Sequence, residues 1–377
     1  MKVLFLTVSI GGGHTKAAEA IKEFVDKKYG SSSTIIIDAL KYVSPVADKL
    51  IVGSYLSTLK KTPKVYGELY KLSEYKENIS DFTKTVNKIL SNKLCKYINE
   101  FNPSIIVCTH AFPVHMVSNL KRKRKITVPV IAVVTDYANH MFWKTDNVDA
   151  FIVAHDYVKQ RMIETGIPPH KIYPHGIPVS SGFLIKKDKK FIRKELGLDD
   201  KLTMLVMGGL LGMGKVEDIF RNLINCKRDL QVIAVTGDNQ KLKEDLEEMA
   251  QNTDKKIKIF GYTNRISDLM DASDFLITKP GGLTITEALA KNIPILLLPP
   301  IPGQEERNAK FLLNCGVAAT FYPEDSVDGL LTQVFDTPLR YQHMKEMASC
   351  LSKPNSSQDI VELMERFVPP ENKLLDI

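Results

Sequence analysis

Short apolar runs alternate with amphipathic stretches along most of this chain. Ten runs carry strand character: 2–8 (KVLFLTV), 34–39, 104–110, 128–136 and 149–155, then 202–209, 230–237, 257–262, 274–279 and 293–300. Runs that are apolar on both faces, with helical patterns between them, predict parallel sheets covered on each side. The helix after the first run is clear, because Ala17, Ala20, Ile21, Phe24 and Val25 share one face at helical spacing.

Ten strands exceed one doubly wound sheet, and the series breaks at 174–201, a charged stretch that carries Pro and Gly and has no strand character. Its first part, near Pro178, reads as a linker. The expected architecture is α/β, with two Rossmann-like domains whose parallel sheets face each other across a cleft. The expected boundaries are 1–178, 179–355, and a final helix and tail at 356–377 that packs back on the first domain. Ligands of such sheets sit beyond the carboxyl ends of the strands, so the cleft is the expected site.

Residues 41–98 break the alternation and predict a helical insert without a strand. Tyr42, Tyr55, Tyr66, Tyr70 and Tyr75 are interleaved there with lysines. Tyrosine beside lysine suits a membrane interface, and it equally suits an ordinary helical face with aromatic contacts.

Composition narrows the setting. The chain has 377 residues, 44% hydrophobic and 25% charged, as in ordinary globular proteins. Its five cysteines are scattered without a CxxC pair, which argues for a reducing compartment and against a disulfide scaffold or a zinc site. Met1-Lys2 and the following apolar run resemble the start of a signal peptide, but the run is too short and ends in glycines. No run reaches the roughly 18 to 20 apolar residues of a membrane-spanning helix. A cytoplasmic protein is expected.

The net charge of +7 is unevenly spread. Residues 1–178 hold 25 Lys and Arg against 15 Asp and Glu, a net +10, and the remainder holds 26 against 29, a net −3. A basic first half suggests an anionic partner, either membrane or nucleic acid, or simply a solvated positive face. Lys121–Lys125, five consecutive basic residues, adds to it. No nucleic-acid-binding motif accompanies the charge, so of the two partners an anionic membrane surface is the expected one, beside the plain reading of a solvated face.

Residues 277–312 carry the most specific pattern. A strand ends at Thr278-Lys279, and Pro280-Gly281-Gly282 opens onto a helix near Thr284. Free backbone N–H groups and the helix dipole at such a point can hold phosphate, although a tight strand-to-helix turn alone would use the same glycines. Glu287, one turn in, could accept both hydroxyl protons of a ribose diol. Gln304, Glu305 and Asn308 follow the next strand and could read sugar hydroxyls.

This segment resembles the nucleotide-sugar site of GT-B glycosyltransferases in family 28. Within that family the chain is most similar to the diacylglycerol glycosyltransferases, the group of plant monogalactosyldiacylglycerol synthases and bacterial processive diacylglycerol glucosyltransferases. GGGH (11–14), VVTDY…H…W (133–143), GIP (176–178), GGLLGMGK (208–215), FGYTNRISDLMDASDFLITKPGG (260–282) and PGQEERN (302–308) fall in the family's order. The resemblance covers nearly the whole chain. It implies inverting transfer of a hexose from a UDP-sugar donor to a diacylglycerol acceptor, with no metal and no cofactor, the donor bound by the second domain and the lipid by the first. It also implies that Pro280, Gly281, Gly282 and Thr284 hold the diphosphate, that Gly209 belongs to the donor site, that Glu287 holds the ribose, and that Gln304, Glu305 and Asn308 face the sugar. Gly261, Tyr262 and Thr263 are similar to the loop that frames uracil. Leu211 is a departure: plant galactosyl enzymes carry an acidic residue in that loop, so glucose is at least as well favoured as galactose.

Such a transfer needs a base on the acceptor hydroxyl, and His14, at the start of a helix whose dipole favours neutral imidazole, is the first candidate. A histidine that only shapes the turn is the plain alternative. Gly12 and Gly13 would let the acceptor approach the backbone. Asp136, at the end of a buried strand, is the second candidate, as base or as a partner orienting His14; capping a helix would be its plainer use. His140 and Trp143 would line a path for the lipid. With no Asp-x-Asp motif to hold Mg²⁺, leaving-group charge falls to helix N-termini and to Lys279 and Arg265. The other histidines, His110 among them, receive no role. Two alternatives remain open: N-acetylglucosaminyl transfer to an undecaprenyl-linked peptidoglycan precursor, and a UDP-sugar 2-epimerase.

Overall fold

The computed structural model describes residues 1–30, 33–45, 92–208 and 216–368. The chain divides into two compact units, one formed by residues 1–180 with the segment from Lys353 onward, the other by Ser181–Ser352.

The first unit holds a six-stranded parallel sheet of β1 (Val3–Thr7), β2 (Thr34–Asp38), β3 (Ile105–Cys108), β4 (Val130–Val133), β5 (Ala150–Ile152) and β6 (Ile172–Tyr173), in the order β2-β1-β3-β4-β5-β6. Four of these strands, β1, β3, β4 and β5, are buried along their whole length, which is why they lack a polar face in the sequence. The Gly13–Tyr29 helix lays Ala18, Ile21 and Val25 onto Val3, Phe5, Ile105, Val107 and Ile131. The Ser356–Phe367 helix joins the same core through Ile360, Val361, Leu363 and Met364, and its Glu365 pairs with Lys28 and Tyr29 of the first helix. At the first residue of this helix Ser356 Oγ donates to Gly176 O at 2.8 Å.

The second unit holds β7 (Thr203–Met207), β8 (Gln231–Val235), β9 (Ile257–Phe260), β10 (Phe275–Thr278), β11 (Ile295–Leu297) and β12 (Ala318–Thr320), again all parallel, in the order β12-β11-β10-β7-β8-β9. A core of Phe220, Leu223, Val232, Phe275, Leu296 and Phe321 backs it. A buried ion pair tightens this unit: Lys291 Nζ lies 2.7 Å from Asp271 Oδ2 and also donates to Ile185 O, and both side chains are 1% exposed.

All ten runs read from the sequence are strands. Two further strands, β6 and β12, sit at sheet edges with two and three residues, too few to produce a pattern. In each sheet the chain builds outward on one side and then crosses to the other, at β1/β3 in the first unit and at β7/β10 in the second. Such a reversal opens a crevice at the carboxyl ends of the two strands that flank it.

Of the expected insert at 41–98, residues 46–91 lie outside the described residues, as do Gly209 and the rest of its glycine loop to 215. Tyr42 is described, and its use is intramolecular: its ring meets Tyr97 edge-on at 5.0 Å, with Lys93 Nζ 5.2 Å from the ring centre.

Candidate active site

At the first crossing β1 runs into Gly11 and Gly12, both left-handed (φ 70° and 78°), and the Gly13–Tyr29 helix begins. A Cβ at Gly11 would meet nothing within 4 Å, so backbone handedness rather than crowding calls for glycine there. This turn places His14 over the end of β3. His14 Nδ1 is 2.9 Å from Thr109 O and 2.8 Å from Thr135 Oγ1. A carbonyl only accepts, so Nδ1 carries a proton and donates, and in the neutral ring the lone pair is on Nε2. Burial lowers the His14 pKa, opposed by the charge of Asp136 and by the Thr109 carbonyl. The neutral, base-competent form is thereby favoured near neutral pH.

Around this imidazole stand groups that no sequence signal marked. The His110 ring meets His14 edge-on at 4.6 Å. The hydroxyls of Thr7, Thr15 and Thr109 are buried without a hydrogen-bond partner. Thr7 ends β1, and Thr109 N donates to Leu6 O, so these two hydroxyls lie at the ends of the paired strands that flank the crossing.

At the second crossing β10 ends at Thr278, and Lys279-Pro280-Gly281 leads into the Gly282–Ala290 helix. Neither this helix nor Gly13–Tyr29 has an acidic residue in its first turn or a side-chain cap, so no side chain of either first turn offsets the positive end of its dipole. A Cβ at Gly281 would meet nothing within 4 Å, so the space over the helix start is open. Asn308 is fully buried and its Nδ2 donates to Pro280 O at 3.0 Å, which fixes the loop. Lys279 Nζ lies 3.0 Å from Glu305 Oε1, while Glu305 Oε2 accepts from Ile301 N at 3.1 Å.

Comparison with known proteins gives these two sites a context. Residues 14–179 match the monogalactosyldiacylglycerol (MGDG) synthase family, and residues 203–364 match the glycosyltransferase family 28 C-terminal domain. The chain is 30% identical, over 98% of its length and 95% of theirs, to processive diacylglycerol beta-glucosyltransferases of Bacillus cereus and Bacillus anthracis. The chain belongs to the diacylglycerol glycosyltransferases of family 28. Its fold is that of GT-B enzymes: MurG of Acinetobacter baumannii superposes with a TM-score of 0.62 at 16% identity, over 97% of this chain and all of that one. UDP-GlcNAc 2-epimerase from Neisseria meningitidis gives 0.61 at 14% identity with the same coverage, 97% and 100%.

The family's expected residues are brought together unevenly. His14 stands at the first crossing with Gly12 and Gly13 forming its turn, and Asp136, beyond β4, is near enough for its charge to act on His14. Pro280, Gly281, Gly282 and Thr284 form the second turn, with Glu287 half-buried one turn in and Gln304 starting the next helix. Gly261, Tyr262 and Thr263 follow β9, where Tyr262 is exposed and Thr263 Oγ1 accepts from Arg265 N at 3.1 Å.

Four expectations change. Asn308 is fully buried and donates to the Pro280 carbonyl, so its amide supports the loop. Arg265 turns its guanidinium to Glu195 and Asp268. Trp143 is 3% exposed, so it offers no ring at the surface; the exposed aromatic of that turn is Phe142. His140, equally buried, caps the Met141–Trp143 turn by accepting from Phe142 N at 3.0 Å.

Proposed function

We propose that this family member moves a hexose, glucose in preference to galactose, from a UDP-sugar to the 3-hydroxyl of 1,2-diacylglycerol. The transfer inverts the anomeric carbon, and the protein works peripherally at the cytoplasmic face of a membrane. The observation that carries the reading is His14, whose Nδ1 is tied to Thr109, so that the neutral ring favoured by burial keeps its lone pair on Nε2. The names of the curated relatives and Leu211 in the glycine loop favour glucose.

In this mechanism His14 Nε2 takes the proton of the acceptor hydroxyl as its oxygen bonds to the anomeric carbon. The bond from that carbon to the UDP oxygen breaks on the opposite face. Asp136 steadies the imidazolium that forms. The charge that develops on UDP is met by the backbone N–H groups at the start of the Gly282–Ala290 helix, with Glu287 on the ribose. Lys279 and Glu305 act as one paired unit beside the sugar and the diphosphate, since their charges already neutralise each other. Gln304 faces the sugar, and Tyr262 with Thr263 frames the base. Attraction to anionic lipid is supported by the net +10 of residues 1–178. Among the described residues no helix is long and apolar enough to cross a membrane.

Thin-layer chromatography of products from labelled UDP-glucose, UDP-galactose or UDP-N-acetylglucosamine with diacylglycerol vesicles tests this reading. Glucosyl-diacylglycerol is the expected product. Conversion of a UDP-sugar in the absence of lipid would instead point to an epimerase. Pelleting with vesicles should increase with anionic lipid and decrease with salt; salt-insensitive binding to neutral vesicles would overturn the electrostatic account.

A further inference from the structure

His110 follows β3 and caps the Ala111–Arg122 helix: its Nδ1 accepts from Phe112 N at 3.0 Å. An amide N–H only donates, so this Nδ1 is bare and the ring proton must be on Nε2. His155 and His140 use the same arrangement, each accepting from the backbone N–H two residues on. Of these three capping histidines, His110 is the one whose ring touches His14, edge-on at 4.6 Å. A cap would be served as well by Ser, Asp or Asn. Capping therefore does not account for an imidazole placed against another imidazole.

We propose that His110 is a positioning residue for His14, a wall that fixes the ring plane of the base and shields it from water. The inference rests on the reading of His14 as the base. His110 is not a proton relay, because its only bare nitrogen is occupied by the Phe112 amide and a proton there would break the cap. The geometry leaves His14 restrained from two sides. Thr109 O and Thr135 Oγ1 hold Nδ1, and the His110 ring limits rotation about the bond that carries the imidazole. Burial and the neighbouring His14 hold the His110 pKa well below the ordinary imidazole value, so His110 stays neutral while His14 gains and loses its proton. Among the described residues, the charged group that acts on the pair is Asp136, on His14, besides the two histidines themselves.

The test is His110→Asn in the full-length protein, which keeps a cap acceptor and removes the ring. Turnover should fall about 10- to 100-fold, within the range that misplacing a reacting group costs. The KM for UDP-sugar and the melting temperature should stay near wild type. With the ring gone, water reaches His14, its pKa rises towards the ordinary value, and the acidic limb of turnover moves to higher pH. A variant with wild-type turnover and an unmoved limb would overturn the proposal.

A second measurement does not depend on activity or on the variant folding. Nitrogen-proton correlation spectra of the wild-type imidazoles should show His110 as the Nε2–H tautomer, not titrating around the ordinary imidazole pKa, and His14 as Nδ1–H. A His110 that titrates near pH 6.5, or carries its proton on Nδ1, overturns the proposal whatever the base is. If His14→Ala keeps its turnover while the spectra show these two tautomers, the reading of His14 as base fails, and the packing of the two rings stands.

Discussion

His14 and Thr109 are 95 residues apart in the chain, and Nδ1 of one lies 2.9 Å from the carbonyl oxygen of the other. This contact joins the first turn of the helix after β1 to the loop after β3, the two strands that flank the crossing of the first sheet. It is the contact that leaves Nε2 of His14 as the basic nitrogen.

His14→Ala removes that nitrogen. Turnover should fall by about 10² to 10⁴, the usual contribution of a general base. Calorimetric affinity for UDP should stay within about twofold, because the donor is assigned to the second unit. A modest loss of turnover together with a lowered melting temperature would reduce His14 to a residue that shapes the turn.

Asp136→Asn removes the carboxylate that raises the His14 pKa. The imidazole should then lose its proton at lower pH, so the acidic limb of turnover shifts downward, and a weaker base lowers the plateau. An acidic limb that survives in His14→Ala and disappears in Asp136→Asn would make Asp136 the base.

Glu287→Ala should weaken UDP binding by about 1.5 to 3 kcal/mol, the scale of a hydrogen bond to a charged group. Isothermal titration with UDP checks it. An unchanged affinity takes the ribose away from Glu287.

Acid should unfold the first unit before the second. His14, His110, His115, His155 and His175 all have pKa values lowered chiefly by burial, and all five lie within residues 1–180. The unfolded chain binds these protons near pH 6.5 and the folded unit only at lower pH, so their contribution to stability is complete above about 6.5 and is lost as pH falls below it. Hydrogen exchange at pH 5.5 against pH 7.5 should show protection lost first in β1, β3 and the helices beside them. Equal loss in both units would contradict this.

Asp271→Ala leaves Lys291 buried without its counter-charge and should cost about 3 to 5 kcal/mol of stability. Replacing both by apolar residues of similar volume should cost much less. Urea unfolding of the single and double variants separates the two cases.

Regular structure was legible where burial was symmetric. β1, β3, β7 and β10 are covered on both faces and read as apolar runs, whereas β6 and β12 are too short to write a period into the chain. The turns at both crossings were legible because glycine and proline mark them. The surroundings of His14 were not. Thr109, Thr135 and His110 are ordinary residues whose use comes from strand pairing, and pairing across 95 residues leaves no local trace. A weaker signal was available: His110-Ala-Phe112, His140-Met-Phe142 and His155-Asp-Tyr157 repeat one spacing, and each proves to be a cap. Trp143 shows the opposite error. A lone tryptophan suggested a wet edge, and the fold uses it as filling.

The turn between β1 and His14 also acts as a ruler. Successive residues of a helix advance about 100° around its axis and 1.5 Å along it. One residue added or removed within Gly11–Gly13 would leave sheet and helix free to form and swing the imidazole a quarter-turn or more away from Thr109. Insertions in this stretch should therefore produce a well-folded protein that binds donor and does no chemistry, and the number of glycines matters as much as their freedom to bend.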